Sequence, residues 1–187
     1  MGPMPAADHE TTPGWLVLIY RVPSEPSRLR AAVWRRLKSL GAIYLQSSAA
    51  ALPASVPAER ALRKLRSEIL DMSGSAALLS CSVLAGEAEV LAAFQAARND
   101  EYEEIADKCN DFLAGLRKEY DASHFTYAEL EENEVDFVKL RSWLERVRER
   151  DVFGAAGLQA AVTGLAECEE QLEAYATRVY AEEAESR

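Results

Sequence analysis

The spacing of apolar positions changes once along this chain, near residue 86. Before that point, short apolar runs alternate with helical stripes. Residues 15–22 (WLVLIYRV) are rich in β-branched and aromatic side chains and short enough to form a strand buried on both faces. Pro23 and Pro26 end it. Ser24 then reads as the N-cap of a helix with Pro26 in its first turn, and Leu29, Val33, Leu37 and Leu40 recur at helical spacing up to a stop at Gly41. Residues 43–46 resume as a strand, and residues 49–54 form a third, although alanine is a poor strand former. Val56 and Pro57 open a second helix, with Leu62, Leu65, Ile69 and Met72 on one face and Arg60, Arg63, Lys64 and Arg66 around the rest, ending at Gly74. Residues 75–84 supply a fourth strand. The order β-α-β-β-α-β predicts a ferredoxin-like antiparallel sheet with both helices on one face.

Beyond Gly86 the period becomes purely helical. Tyr102, Ile105, Cys109, Phe112, Leu116 and Tyr120 step by three or four residues, the apolar stripe of a first long helix. Thr126 followed by Glu129 is a capping box, and Phe125 is placed to pack on Leu130 as a staple. The second stripe, from Leu130 through Phe137, Leu140, Leu144 and Val147, runs until Gly154; Leu158, Leu165, Cys168, Leu172, Tyr175 and Val179 make a third. The chain is therefore expected to be α+β: a tail over residues 1–14 containing an inert His9, a ferredoxin-like sheet domain over 15–85, and a three-helix, all-α extension over 86–187. A sheet with helices on one face leaves the other bare, and the long helices also need partners, so a two-fold homodimer through the sheet face or those helices is expected.

Charge sharpens this division. The formal net charge is −10, yet residues 1–80 hold ten basic against six acidic residues, while residues 81–187 hold eleven against twenty-five. A basic first half suits an anion or an acidic partner; an acidic second half favours solubility. Three widely spaced cysteines, Cys81, Cys109 and Cys168, make no CxxC pair, and the two on stripes and the one in a strand read as small buried hydrophobes. No run of residues has the length and apolarity of a membrane span, and residues 1–14 lack the apolar core of a secretory signal, so a soluble, cytoplasmic protein with no membrane partner is expected.

The stretch YRVPSEPSRLRAAVWRRLKSLGAIYLQSS, with the later FTYAELEENE and RDVFG segments, resembles the N-terminal domain of the chromate-resistance protein ChrB. The resemblance runs from about Trp15 to the C-terminus. Longer members of that family carry a second domain that this sequence does not include. A fainter likeness of fold joins the opening stretch to the sheet domain of PaaX-type repressors and to the small ferredoxin-like nucleases of CRISPR integration, and a fold does not set a function. The resemblance adds weight to a chromate-resistance sensor or regulator that takes a small oxyanion such as chromate or sulfate; with the dimer expected above, a non-enzymatic regulator acting as a dimer is the leading reading.

Guanidinium forks and the free N–H groups of a helix N-terminus both hold oxyanions well. Arg21, Arg28 and Arg30 lie where the first strand gives way to the first helix, so they are the candidate oxyanion ligands. Trp34, Arg35, Arg36 and Lys38 on that helix, with Tyr44 beyond it, are candidates for a DNA surface, basic groups neutralising phosphates and aromatics stacking on bases. The helix-turn-helix and winged-helix modules are missing, and the whole chain is acidic, so a dimer that doubles the basic face is needed for that role. No cofactor is expected. The competing class is a metal- or haem-binding enzyme built on the acidic helices, in which His124 with Glu104 and Glu132 would be the ligands; the sequence holds no Ser-His-Asp arrangement or Gly-rich phosphate loop, and no Glu-x-x-His motif.

Overall fold

A computed structural model describes residues 14–185; the expected tail and His9 lie outside the described residues. The described chain runs β1 (Trp15–Arg21), α1 (Arg28–Leu40), β2 (Ile43–Gln46), β3 (Ala49–Pro53), α2 (Val56–Asp71), β4 (Ser75–Cys81), α3 (Glu87–Ala122), α4 (Tyr127–Arg150) and α5 (Leu158–Glu185). It divides into two compact units, with the boundary between Val90 and Leu91. No helix among the described residues is long and apolar enough to cross a membrane.

In the first unit the four strands lie in the order β2-β3-β1-β4, every neighbouring pair antiparallel. β1 pairs over its whole length with β4, from Trp15↔Cys81 to Arg21↔Ser75. Strand alternation sends Leu16, Leu18 and Tyr20 to one face, where they join Val33 and Leu37 of α1 and Leu62, Leu65 and Ile69 of α2 in one apolar core. Trp15, Val17, Ile19 and Arg21 take the other face. That face is not bare as expected from the sequence: Trp15, Val17, Ile43 and Ala51 are buried, and it opens toward β4, where Ile19 and Leu79 stand about half exposed and Ala77 and Cys81 are exposed as well.

Two boundaries differ from the sequence reading. α1 is not capped by Ser24; it starts after Ser27, whose side chain makes no cap hydrogen bond. The residue before a proline is pushed out of the helical region, so Glu25-Pro26 delays the helix, and its first bonds run from Leu29 N–H to the Pro26 carbonyl and from Ala31 N–H to that of Ser27. β4 stops at Cys81 rather than at residue 84, because its ladder with β1 ends at Trp15; Leu84 is almost wholly exposed, and Cys81 is an exposed thiol rather than a buried one. At the other end of the sheet, a Cβ on Gly74 would stand 2.6 Å from the Arg21 carbonyl and 2.9 Å from that of Ile69, so only glycine fits between the α2 terminus and the end of β1.

The second unit has its own core, from Tyr102, Ile105, Cys109, Leu113 and Leu116 of α3, through Leu130, Phe137, Leu144 and Val147 of α4, to Ala161, Cys168, Leu172, Tyr175 and Val179 of α5. The Thr126 hydroxyl accepts from the Glu129 N–H at 3.3 Å, which is the N-cap half of the expected capping box. Phe125 sits beside Tyr120 and Tyr175, with ring centroids 5.3 and 5.8 Å away, and the Tyr175 hydroxyl donates to the His124 carbonyl; these contacts fix where the chain enters α4. α4 ends at Arg150, short of Gly154. The Asp151 carboxylate explains the early stop, accepting from the Ala155 N–H at 2.9 and 3.1 Å and turning the chain at once.

Candidate functional site

α1 buries Val33 and Leu37 and turns its charges outward. It carries four arginines and one lysine and no acidic residue. At 3.6 residues per turn, Arg30, Trp34 and Lys38 fall in one line along the helix, Arg28 and Arg35 in the next, and Arg36 on the opposite flank. All six are exposed. Trp34 is 49% exposed, and the Lys38 ammonium lies 5.4 Å from its ring centroid, so the cation partly covers an aromatic face that water would otherwise wet. Among the described residues, the side chains of Arg28, Arg30, Arg35 and Arg36 form no ion pair or hydrogen bond.

Arg21 has the same exposure and the same lack of a side-chain partner among the described residues, but alternation along β1 starts its side chain from the sheet face opposite α1. Arg28, Arg30, Trp34, Arg35 and Lys38 thus share the solvent-facing side of α1, while Arg21 starts from the other face of the sheet. Tyr44 lies on the helix-covered face, since it pairs with Ala50 and Ala50 with Leu18. Its hydroxyl is 3.1 Å from that of Tyr20, and burial, followed by this contact, pushes its ionisation well above the ordinary tyrosine value.

The basic residues of α2 are placed otherwise. A groove of about 670 Å³ runs between α2 and the free edge of β4, with Arg63 and Arg66 on its wall. Arg63 is held by Glu59 at 2.7 Å, and the Arg66 Nε donates to the Ala76 carbonyl at 3.1 Å, covering part of the open sheet edge. Nothing in the residue types distinguished these arginines from those of α1; the four-residue spacing of Glu59 and Arg63 was the only signal.

In the second unit the structure assembles a polar cluster that the sequence did not announce. Arg98, 2% exposed, donates to Glu101 at 3.1 Å, and Arg150 reaches the other oxygen of the same carboxylate at 2.7 Å. The Arg98 guanidinium also lies 4.8 Å from the Phe94 ring centroid, and Phe94 meets Phe153 edge to face. Burial holds Arg98 below the ordinary arginine value, against the opposing pull of Glu101. The Tyr102 hydroxyl donates to Asp151 at 3.1 Å; burial and that carboxylate push Tyr102 up to about 12. Gln95 and Asn99 bind the Phe153 carbonyl and the Gly157 N–H. The RDVFG segment is therefore a loop pinned by one face of α3, which a motif at the end of a helix could not reveal.

The acidic helices do not gather a ligand set. Among the described residues no three of His, Cys, Asp and Glu are placed to hold a metal ion; Glu104 and Glu132 are exposed, and His124 Nδ1 is 3.2 Å from Glu119.

No curated protein matches this chain. The profile of the family described as "Protein ChrB, N-terminal" matches residues 30–186, taking in Arg30, the Trp34–Lys38 surface and the pinned loop, and leaving Arg21 and Arg28 ahead of its start. With most of its length matched, the chain belongs to the ChrB N-terminal family, which relates it to chromate resistance.

Proposed function

We propose that the protein is a cytoplasmic chromate-resistance sensor that binds an oxyanion, chromate or sulfate, at the N-terminal end of α1, through Arg28 and Arg30 together with Arg21. The observation that carries this reading is the acid-free exposed face of α1, whose arginine side chains have no partner among the described residues. Cations that no internal carboxylate neutralises can direct their charge at a ligand without first breaking an ion pair, and the positive end of the helix dipole adds to their field. We read the first unit as ferredoxin-like, which its element and strand order support, and the remainder as a three-helix extension.

A second reading, transcriptional regulation by direct DNA contact, is favoured by the half-exposed Trp34 beneath Lys38, flanked by Arg35 and Arg36. In a two-fold homodimer two copies of α1 would act together, giving an acidic protein enough local positive charge to approach phosphates. The exposed Ile19 and Leu79 on the sheet face away from α1 and α2 are apolar surface available for that association.

Calorimetric titration with chromate and with sulfate, at fixed ionic strength, tests the primary reading. Binding is expected to weaken with added salt and to fall at least about tenfold in Arg21→Ala plus Arg28→Ala. Equal affinity in the double variant rejects the oxyanion site. Light scattering tests the dimer separately, with about twice 20.6 kDa expected.

A further inference from the structure

Cys109 and Cys168 come from different helices and meet in the core of the second unit, each at most 1% exposed. The Cys168 S–H donates to the Cys109 carbonyl at 3.5 Å. One turn earlier on α5, Gly164 faces the same cysteine: a Cβ built there would stand 3.3 Å from the Cys109 Cβ and 3.7 Å from its Sγ. The missing side chain lets α3 and α5 approach closely at this level, and a disulfide needs such an approach, with Cα atoms about 4.4–6.8 Å apart. Neither thiol has a role in the surface on α1.

We propose that Cys109 and Cys168 are a modification site at which a hydroperoxide-class oxidant forms an intramolecular disulfide joining α3 to α5. Cys109 is the attacking group. In the reduced pair the Cys168 S–H points to the Cys109 carbonyl. On ionisation of Cys109 that proton turns to its sulfur, a contact that lowers the Cys109 thiol against the opposing effect of burial and, with burial, pushes Cys168 up. The Cys109 thiolate attacks one peroxide oxygen; the O–O bond breaks, the departing hydroxide takes up a proton as water, and Cys109 becomes a sulfenic acid. The Cys168 sulfur, giving up its proton, then attacks the Cys109 sulfur; the S–O bond breaks, and the hydroxide leaves with that proton as a second water. Each sulfur is oxidised by one electron, and the peroxide takes both. Because the pair is buried, oxidant reaches it through local opening of the helices, so closure is slow compared with oxidation of the exposed Cys81.

The experiment uses the full chain carrying Cys81→Ser, a change at an exposed position. The reduced protein is treated with hydrogen peroxide under native conditions, quenched, unfolded, alkylated and mapped by mass spectrometry. The expected product is monomeric, lighter by two hydrogens, with the Cys109 and Cys168 peptides joined and separated again by reductant. Its melting temperature is expected to rise by at least about 4 °C, since the bond closes a long loop of the unfolded chain. The same treatment of a protein also carrying Cys168→Ala is expected to give no crosslink and to leave Cys109 as a sulfenic or higher acid. Two thiols that remain alkylatable after treatment, or crosslinks found only between molecules, overturn the proposal.

Discussion

Arg98 and Arg28 are the same side chain in opposite electrostatic settings. Arg98 is withdrawn from water on α3 and shares the Glu101 carboxylate with Arg150; Arg28 opens α1, exposed, with no side-chain partner among the described residues. Desolvating a guanidinium is costly, so a buried one persists only with a carboxylate and good geometry around it. A solvated one costs nothing and contributes little to stability, which leaves it available for a ligand. Partnered charge marks where this protein is held together, and unpartnered charge marks the surface proposed above as its binding site. The same contrast separates Arg63 and Arg66 of α2 from Arg35 and Arg36 of α1, within one unit.

The largest effect should come from removing the shared carboxylate. Glu101→Ala leaves two neighbouring cations without it, and is expected to cost about 3–5 kcal/mol in urea denaturation. Adding Arg98→Met, which replaces the buried cation by an apolar chain, should recover part of that loss. If Glu101→Ala costs no more than an exposed pair would, about 1 kcal/mol or less, the cluster is not a structural device and the comparison breaks.

Next is Tyr102, whose hydroxyl binds Asp151. Tyr102→Phe should cost about 0.5–1.5 kcal/mol at neutral pH. The sign of the pH dependence follows from the raised value. The stability contributed by neutral Tyr102 is whole below the unfolded value near 10 and is lost as pH climbs from there through about 12. Urea midpoints for both proteins across this range should therefore converge as pH rises; a constant separation would contradict the assignment.

Thr126→Ala should cost about 1 kcal/mol, because it leaves the Glu129 N–H without the cap that the hydroxyl supplies. Anion binding should be unchanged in this variant, and loss of binding at unchanged stability would mean the cap is part of a site.

The smallest stability effect should fall on the arginines proposed to bind the anion or DNA. Arg28→Ala and Arg35→Ala are each expected to stay within about 0.5 kcal/mol of the parent in denaturation. A loss above about 2 kcal/mol in either would show that α1's charges support the fold, and the link between free charge and function would fail.

Apolar period and cap chemistry are local, so the secondary structure of both units could be read closely from the residues alone. β2 was legible as residues 43–46, Gly41 ends α1 in the left-handed conformation, and Thr126 caps α4. Even the alanine-rich β3 emerged, through its position between the two elements flanking it. Local reading failed where a distant residue set the outcome. Ser24 lost the cap to a proline two residues on, Cys81 fell at an exposed strand end because the ladder of β1 ran out, and α4 stopped at Arg150 because Asp151 turned inward. The arginines of α1 could be recognised as candidates from their position beside a helix start. Which arginines have partners could not, since Arg98 and Arg150 lie 52 residues apart and meet at one carboxylate only after α3 and α4 pack. The meeting of Cys109 with Cys168 across the notch at Gly164 belongs with them. Periodicity reports which face of a helix is apolar; it carries no information about which residue of another helix that face will touch, and only packing decides that.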